Sequence, residues 1–272
     1  MMRFRKMHGA GNDFIMLDGR DLPAKLLSSE RIAALCHRRL GIGADGLIIL
    51  LPGNDPGVDF RMSYYNADGR EAEMCGNGAR CSVAFAGKMG WIDNECRFVT
   101  ESGILTGKLF GPDDVEISLP TWRDLMLERT VADSPWTEHH SCNTGVPHLV
   151  IPVADVDSIN VERYGRQFRY QAEFAPAGTN VNWVGPSVDR TAEGSPIFQI
   201  RTYERGVEAE TLACGTGASA SAVILCRLGR AESPVALRAR SGDLLRVTVD
   251  AENDKLLLRG PARFSFQGEV AR

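Results

Sequence analysis

Two cysteines stand in matching company: Cys75 opens Cys-Gly-Asn-Gly-Ala, and 139 residues further on Cys214 opens Cys-Gly-Thr-Gly-Ala. A cysteine directly before a Gly-x-Gly turn and a run of small and apolar residues lies at a helix start, among N–H groups with no intrahelical acceptor and at the positive end of the helix dipole. Its thiolate is favoured there. Lowering a thiol pKa from about 8.5 to about 7 takes roughly 2 kcal/mol, which dipole and amides can supply together. The same amides can hold a carboxylate, because helix N-termini are ready-made anion sites. If a pseudo-twofold axis relates the two motifs, the sulfurs can face one another across a cleft with a substrate carbon between them. That arrangement suits inversion of an amino-acid stereocentre. A thiolate takes the proton from one face of Cα, a thiol delivers one to the other face, and the roles exchange in the reverse direction. Two thiolates at close range are disfavoured, so the pair shares one proton and titrates as a pair. No Schiff-base cofactor site is evident. Charge building on the substrate carboxylate must then be stabilised by the amides, in a site closed to water. No cofactor is expected.

A free cysteine is often no more than a small buried hydrophobe, and Cys36, Cys81, Cys96, Cys142 and Cys226 read that way. Cys75 and Cys214 differ by their symmetric placement before matching glycines, which close backbone approach requires. The seven cysteines cannot all pair within the chain, none forms Cys-x-x-Cys, and the adjacent His139 and His140 cannot both point at one metal from regular structure. Neither a disulfide framework nor a metal site is expected. Gly41-Ile42-Gly43-Ala44-Asp45-Gly46 fits Gly-x-Gly-x-x-Gly, but a helix-like segment (Ser29 to Arg39) precedes it and a strand-like one (Leu47 to Leu51) follows. A dinucleotide site needs the opposite order, so no nucleotide is predicted.

The elements that must position the cysteines repeat with them. The same offset superimposes, without a gap, Tyr64 on Tyr203, Glu71 on Glu210, Ser82 on Ser221, Gly90 on Gly229, and Ser102-Gly103 on Ser241-Gly242. Register held over that distance indicates an internal duplication. In each half an alternating segment, Phe60 to Tyr64 or Ile197 to Tyr203, reads as a strand leading to the cysteine. A helix of about 13 residues then runs towards Gly90 or Gly229, placed for a left-handed C-terminal turn. The second helix is almost free of charge before Arg227 and should be buried on every side. Strand-like pieces follow in both halves, Phe98 to Phe110 with Val115 to Leu119, and Ala236 to Val249 with Lys255 to Leu258. The fold class expected is α/β of the α+β type, with two pseudo-symmetric lobes, each a mixed or antiparallel sheet wrapped around a central helix. Trp122, Pro135 and many charges interrupt the pattern between Pro120 and His140. The boundary falls there, giving an N-terminal lobe 1–119 with Cys75 and a C-terminal lobe 120–262 with Cys214.

Composition bounds the partners. The 272 residues include 31 basic and 35 acidic side chains for a formal charge of −4, so no nucleic-acid field is implied. Apolar runs such as Leu47 to Leu51 fall far short of the roughly 20 residues that cross a bilayer, and no membrane partner is expected. His8, Gly9, Gly11, Asn12 and Asp13 stand where a signal peptide needs an apolar stretch, so the expected location is the cytoplasm.

Five segments resemble the diaminopimelate epimerase family, in that family's order: KMHGAGNDF (Lys6 to Phe14), NADGREAEMCGNGARC (Asn66 to Cys81), GVPH (Gly145 to His148), TNVNWV (Thr179 to Val184) and YERGVEAETLACGTGA (Tyr203 to Ala218). The resemblance implies that family's fold, with the first lobe completed by 263–272. It also implies a cofactor-independent interconversion of LL- and meso-2,6-diaminopimelate, feeding lysine and peptidoglycan precursor synthesis. Cys75 and Cys214 would be the acid/base pair. By matching position, Asn12, Asn66, Asn180, Glu204 and Arg205 would contact the substrate, with helix-start contacts from Gly76, Asn77, Gly215 and Thr216. His148 would tune the cysteines together with Glu204. The chemistry fits, since an Arg205 guanidinium can fork onto the far carboxylate of a di-acid and Glu204 can accept from an ammonium group. Taken singly, Glu204 and Arg205 read as an ordinary exposed ion pair, Asn12, Asn66 and Asn180 as turn residues, and His148 as a structural histidine. The partner implied is the small molecule diaminopimelate, and a homodimer is allowed. Two departures stand out. Val146-Pro147-His148 replaces the Asn-Pro-His of many members, and Gly46 replaces a glutamine found in some. Backbone groups or water would take over those contacts.

Other readings carry discriminating features. A proline-racemase-like enzyme has histidine where Asn77 lies and aspartate where Leu212 lies. A racemase of another amino acid, such as histidine, on the same scaffold is opposed by the Arg205 contact, which favours a di-acid. A Cys-His hydrolase using Cys75 with His148 leaves the second cysteine unexplained. A non-catalytic amino-acid-binding module would bind without exchanging Cα hydrogen. Two facing thiols should also be joined by mild oxidation, with reversible loss of turnover.

Overall fold

The structure, a computed structural model, describes residues 1–22, 27–72 and 74–271. Its first elements are β1 (Met2–Gly9), β2 (Asn12–Asp18), α1 (Ser29–Cys36), β3 (Gly46–Pro52), β4 (Phe60–Asn66), α2 (Gly76–Lys88), β5 (Glu95–Thr100), β6 (Gly103–Gly111) and β7 (Asp114–Leu119). There follow β8 (Arg123–Met126), β9 (His140–Asn143), β10 (Pro147–Pro152), α3 (Val161–Arg169), β11 (Asn180–Arg190), β12 (Pro196–Glu204) and β13 (Ala209–Thr211). The last are α4 (Gly215–Arg227), β14 (Val235–Arg238), β15 (Leu244–Asp250), β16 (Lys255–Pro261) and β17 (Arg263–Val270). The chain divides into two compact units, Met1–Ser118 with Gly260–Arg272, and Leu119–Arg259.

In the first unit the strands neighbour one another in the order β17-β1-β2-β3-β4-β5-β6-β7. All pairs are antiparallel except β2–β3 and β4–β5. Parallel neighbours need a crossover connection, and α1 and α2 lie in those two. The second unit runs β8-β9-β10-β11-β12-β14-β15-β16, with parallel pairs at β10–β11 and β12–β14. Here α3 and α4 are the crossovers, and the short β13 folds back on β12. Strand for strand, the two units share one topology, as a duplicated sequence should, and the mixed sheets of the expected fold class are present.

The central strands are buried on both faces because helices cover both sides, and their sequences, Gly-Leu-Ile-Ile-Leu-Leu in β3 and Asn-Val-Asn-Trp-Val-Gly in β11, are correspondingly poor in charge. On one face of the first sheet, Ile15, Leu17, Leu47 and Ile49 pack with Ile32 and Leu35 of α1. Against the other lies α2, touching β1, β2, β3, β4 and β6. In the second unit Leu149, Ile151, Val181 and Trp183 pack with Val161 and Phe168 of α3, and α4 touches β9, β10, β11, β14 and β15. Burial of each such large apolar side chain contributes about 1.5–3 kcal/mol.

The two cysteine-headed helices each have 13 residues, and Gly90 and Gly229 beyond them both take φ +68°, as expected. From Gly215 to Leu225 every residue of α4 except Thr216 is buried. The sequence expectation fails at the end of α1, which stops at Cys36 and not at Arg39. His37 turns extended, and its Nδ1 accepts from the N–H groups of Arg39 and Leu40 at 3.1 and 3.0 Å, bending the chain away. Within the stretch from Pro120 to His140 lies β8, which pairs with β9.

Candidate active site

In the first unit, sheet register gathers the site residues. Phe14 of β2 pairs with Gly46 of β3, and Gly46 pairs with Asn66 of β4. The start of β2 at Asn12, the start of β3 at Gly46 and the end of β4 at Asn66 therefore share one end of the sheet. The N-terminus of α2 is drawn to the same end: Asn77 Nδ2 donates to Asn12 Oδ1 at 2.5 Å, and Asn77 Oδ1 accepts from Arg80 Nη2 at 2.7 Å. Arg80 is fully buried and also donates to the carbonyl of Pro261. Cys75 is the N-cap of this helix, in extended conformation at φ −113°, ψ 119°, with Gly76 and Asn77 as its first helical residues.

Residues not singled out from sequence hold Asn12. Its Nδ2 donates to Asp45 Oδ2 at 3.3 Å, and Asp13 and Asp45 exchange backbone-to-carboxylate hydrogen bonds of 3.2 and 2.9 Å. Arg38 bridges both carboxylates, at 2.8 Å to Asp13 and 2.6 Å to Asp45, while Lys6 reaches Asp13 at 2.6 Å from the buried side. Burial raises the pKa of Asp13, but the hydrogen bonds from Arg38 and Lys6 outweigh it and hold the carboxyl well below the usual carboxylate range. Asp45 belongs to the glycine-rich segment set aside as a nucleotide motif, and its use here is to orient an asparagine. At Gly46 the room for a side chain is taken. A Cβ would stand 2.5 Å from the Tyr65 carbonyl oxygen and 2.6 Å from Cε2 of Tyr64. The Tyr64 hydroxyl donates to Asn66 Oδ1 at 3.3 Å, and its ring meets Phe14 edge-on.

The second unit repeats the construction. His148 of β10 pairs with Asn180 of β11, and Val181 with Tyr203 of β12, so that the starts of β10 and β11 and the end of β12 at Glu204 coincide. Asn180 Oδ1 accepts from the backbone N–H of Arg205 at 2.7 Å, and Glu204 Oε1 accepts from the Thr211 hydroxyl at 2.5 Å. Cys214 caps α4 at φ −119°, ψ 110° and accepts at Sγ from the N–H of Gly217 at 3.3 Å, with Thr216 Oγ1 at 3.5 Å. Thr144, just before β10, donates its hydroxyl hydrogen to the carbonyl of Thr216 at 2.8 Å and fastens the helix start to the strand start. His148 is fully buried; burial, and then the nearby Arg205, press its pKa down to about 3, so the ring is neutral. Cys214, Gly215, Thr216, His148, Asn180, Glu204 and Arg205 thus belong to one end of this unit, as Cys75, Gly76, Asn77, Asn12 and Asn66 do in the other.

The remaining cysteines behave as packing. Burial pushes the thiol of Cys36 up to about 11 and those of Cys81, Cys96 and Cys142 up to about 12, and also raises that of Cys226. All seven are free thiols. Among the described residues no three His, Cys, Asp or Glu side chains are grouped to hold a metal ion.

The fold recurs in a Bacillus anthracis phenazine biosynthesis protein of the PhzF family, whose crystal structure matches with a TM-score of 0.74 over 100% of this chain and 99% of that one. At 15% identity that likeness shows the fold alone. Sequence carries the assignment further. The diaminopimelate epimerase family profile matches residues 4–118 and 140–265. The diaminopimelate epimerase of Aquifex aeolicus is 38% identical over 279 residues, covering 99% of this chain and 98% of that one. The enzyme of the same name from Chlorobaculum tepidum is 39% identical over 267 residues, covering 97% and 99%. The chain belongs to the diaminopimelate epimerase family.

Proposed function

We propose that this chain is an epimerase that interconverts LL- and meso-2,6-diaminopimelate, with Cys75 and Cys214 exchanging the roles of base and acid at one Cα. The observation that carries the reading is the pair of cysteines, each the N-cap of a 13-residue helix in nearly the same backbone conformation. One thiolate takes the Cα proton, the electron pair moves towards the α-carboxylate, and the other thiol returns a proton to the opposite face. The first-turn N–H groups of both helices, at Gly76 and Asn77 and at Gly215 and Thr216, have no acceptor within their own helix and are suited to the growing carboxylate charge. Asn12, Asn66 and Asn180 orient the substrate. Arg205 takes the distal carboxylate, and Glu204, turned by Thr211, takes an ammonium group. No cofactor is invoked, and His148 and Glu204 tune the thiols.

The reaction places the chain in lysine and peptidoglycan precursor synthesis. Its partner is the small molecule and neither nucleic acid nor membrane; no helix among the described residues is long and apolar enough to cross a bilayer. Seven free thiols suit a reducing cytoplasm, where we place it, and a homodimer fits the reading equally well. The test is incubation of reduced protein with LL-diaminopimelate in deuterium oxide, without added pyridoxal phosphate. Deuterium entering at Cα together with meso product is expected. Folded protein that binds the substrate but exchanges no Cα hydrogen would leave the binding-module reading in its place.

A further inference from the structure

We infer that Asn182 is a positioning residue that locks His148 as the neutral tautomer protonated on Nε2, so that the histidine serves the site as a fixed hydrogen-bond donor. The assignment follows from which atoms can accept. One amide atom of Asn182 lies 2.9 Å from the carbonyl oxygen of Leu149, which can only accept, so that atom is the nitrogen Nδ2. The other, Oδ1, receives the Thr202 hydroxyl at 3.0 Å. The amide cannot flip without setting its oxygen against a carbonyl oxygen. The same Nδ2 lies 3.2 Å from His148 Nδ1 and has a second hydrogen to give. Nδ1 must therefore accept, and the ring proton resides on Nε2.

Both side chains are buried, and Nε2 has no hydrogen-bond partner among the described residues. An unmade buried N–H is costly, which marks this one for an acceptor brought by the bound substrate. The pair lies beside the first turn of α4. A Cβ on Gly217 would stand 2.3 Å from Asn182 Oδ1, and the N–H of Gly217 donates to Cys214 Sγ. The surroundings oppose a second proton on the ring. Arg205 supplies a positive charge nearby, Cys142, opposite His148 on β9, is held as a neutral thiol by burial, and Asn182 offers Nδ1 a hydrogen where an imidazolium would need an acceptor.

The donor's role rests on the proposed epimerase reading, whereas the tautomer does not, and the experiment separates them. Full-length protein with 15N-labelled histidine is followed by NMR, with His148 assigned from a His148→Gln sample. The expected spectrum has one protonated nitrogen, Nε2, and one bare nitrogen, Nδ1, unchanged between about pH 5.5 and about pH 8.5. A proton on Nδ1, or an imidazolium at the acid end, overturns the inference whatever the activity. In Asn182→Ala the lock is gone: the expected result is mixed tautomers or a titrating ring, with kcat about tenfold lower and KM little changed. A folded Asn182→Ala protein with the tautomer still fixed and turnover intact also overturns it. If that variant does not fold, the wild-type spectrum decides alone.

Discussion

The backbone angles of Cys75 and Cys214 differ by less than ten degrees, yet their side chains have different neighbours, since Cys214 Sγ accepts from its own helix and has the Thr216 hydroxyl close by. Asn77 occupies the corresponding place after Cys75 and spends its amide on Asn12 and Arg80. In two-base chemistry each sulfur is indispensable, whichever isomer is supplied. Cys75→Ser and Cys214→Ser should each lower epimerisation by about 10²–10⁴-fold, the usual worth of a positioned acid or base. Neither should shift the thermal melt appreciably; a serine variant with near-normal turnover would remove that cysteine from the mechanism. In the sequence these two residues stand out by their symmetric placement before matching glycines, not by either motif alone. Tyr64 does not stand out. Its contact with Asn66 depends on the bare backbone at Gly46, 18 positions earlier, and nothing in the local pattern around Tyr64 announces that vacancy.

Between elements, the Asp13 carboxylate is the knot of the first unit. It ties the start of β2 to β1 through Lys6, to the chain beyond α1 through Arg38, and to the residue before β3 through Asp45. Because its pKa is lower in the folded state than in the unfolded one, it adds stability that is fully present above the unfolded value of about 3.9 and is lost as pH falls through the lower folded value. Asp13→Asn should therefore melt below wild type at pH 7. The gap should hold down to about pH 5, then narrow below about pH 4 as the wild-type carboxyl takes up its proton. Equal melts at pH 7, or a gap that widens in acid, would contradict this account. The sequence displayed α2 and α4 plainly, through small residues, missing charge and a closing glycine, but not this knot. Its three partners come from separate places in the chain, and ion pairs leave no periodic trace. The early stop of α1 was hidden for a similar reason, since it depends on which way the His37 ring turns.

At the scale of the molecule, the duplication was readable in a single offset, which explains why the two units share a strand order but does not by itself give that order. The pairing of β17 with β1, Met2 against Val270 through to His8 against Arg263, lies outside the repeated offset; the family resemblance implied only that 263–272 completes the first lobe, not this pairing. A chain ending at Ala262 would leave β1 as an open edge, with donors and acceptors free to pair with another chain. Such a protein is expected to melt lower and to elute as aggregates in size-exclusion chromatography; an unaltered elution and melt would show that β17 is dispensable.

That same pairing imposes a timetable on biosynthesis. After Ser118 leaves the ribosome, the residues up to Arg259, all of the second unit, must be translated before the segment that closes the first sheet begins. At about 5–20 residues per second the wait is roughly ten to thirty seconds. Throughout it the nascent first half carries an uncapped β1, and by its end the later-made half has all but the last residues of its own final strand, so the part synthesised first is the part finished last.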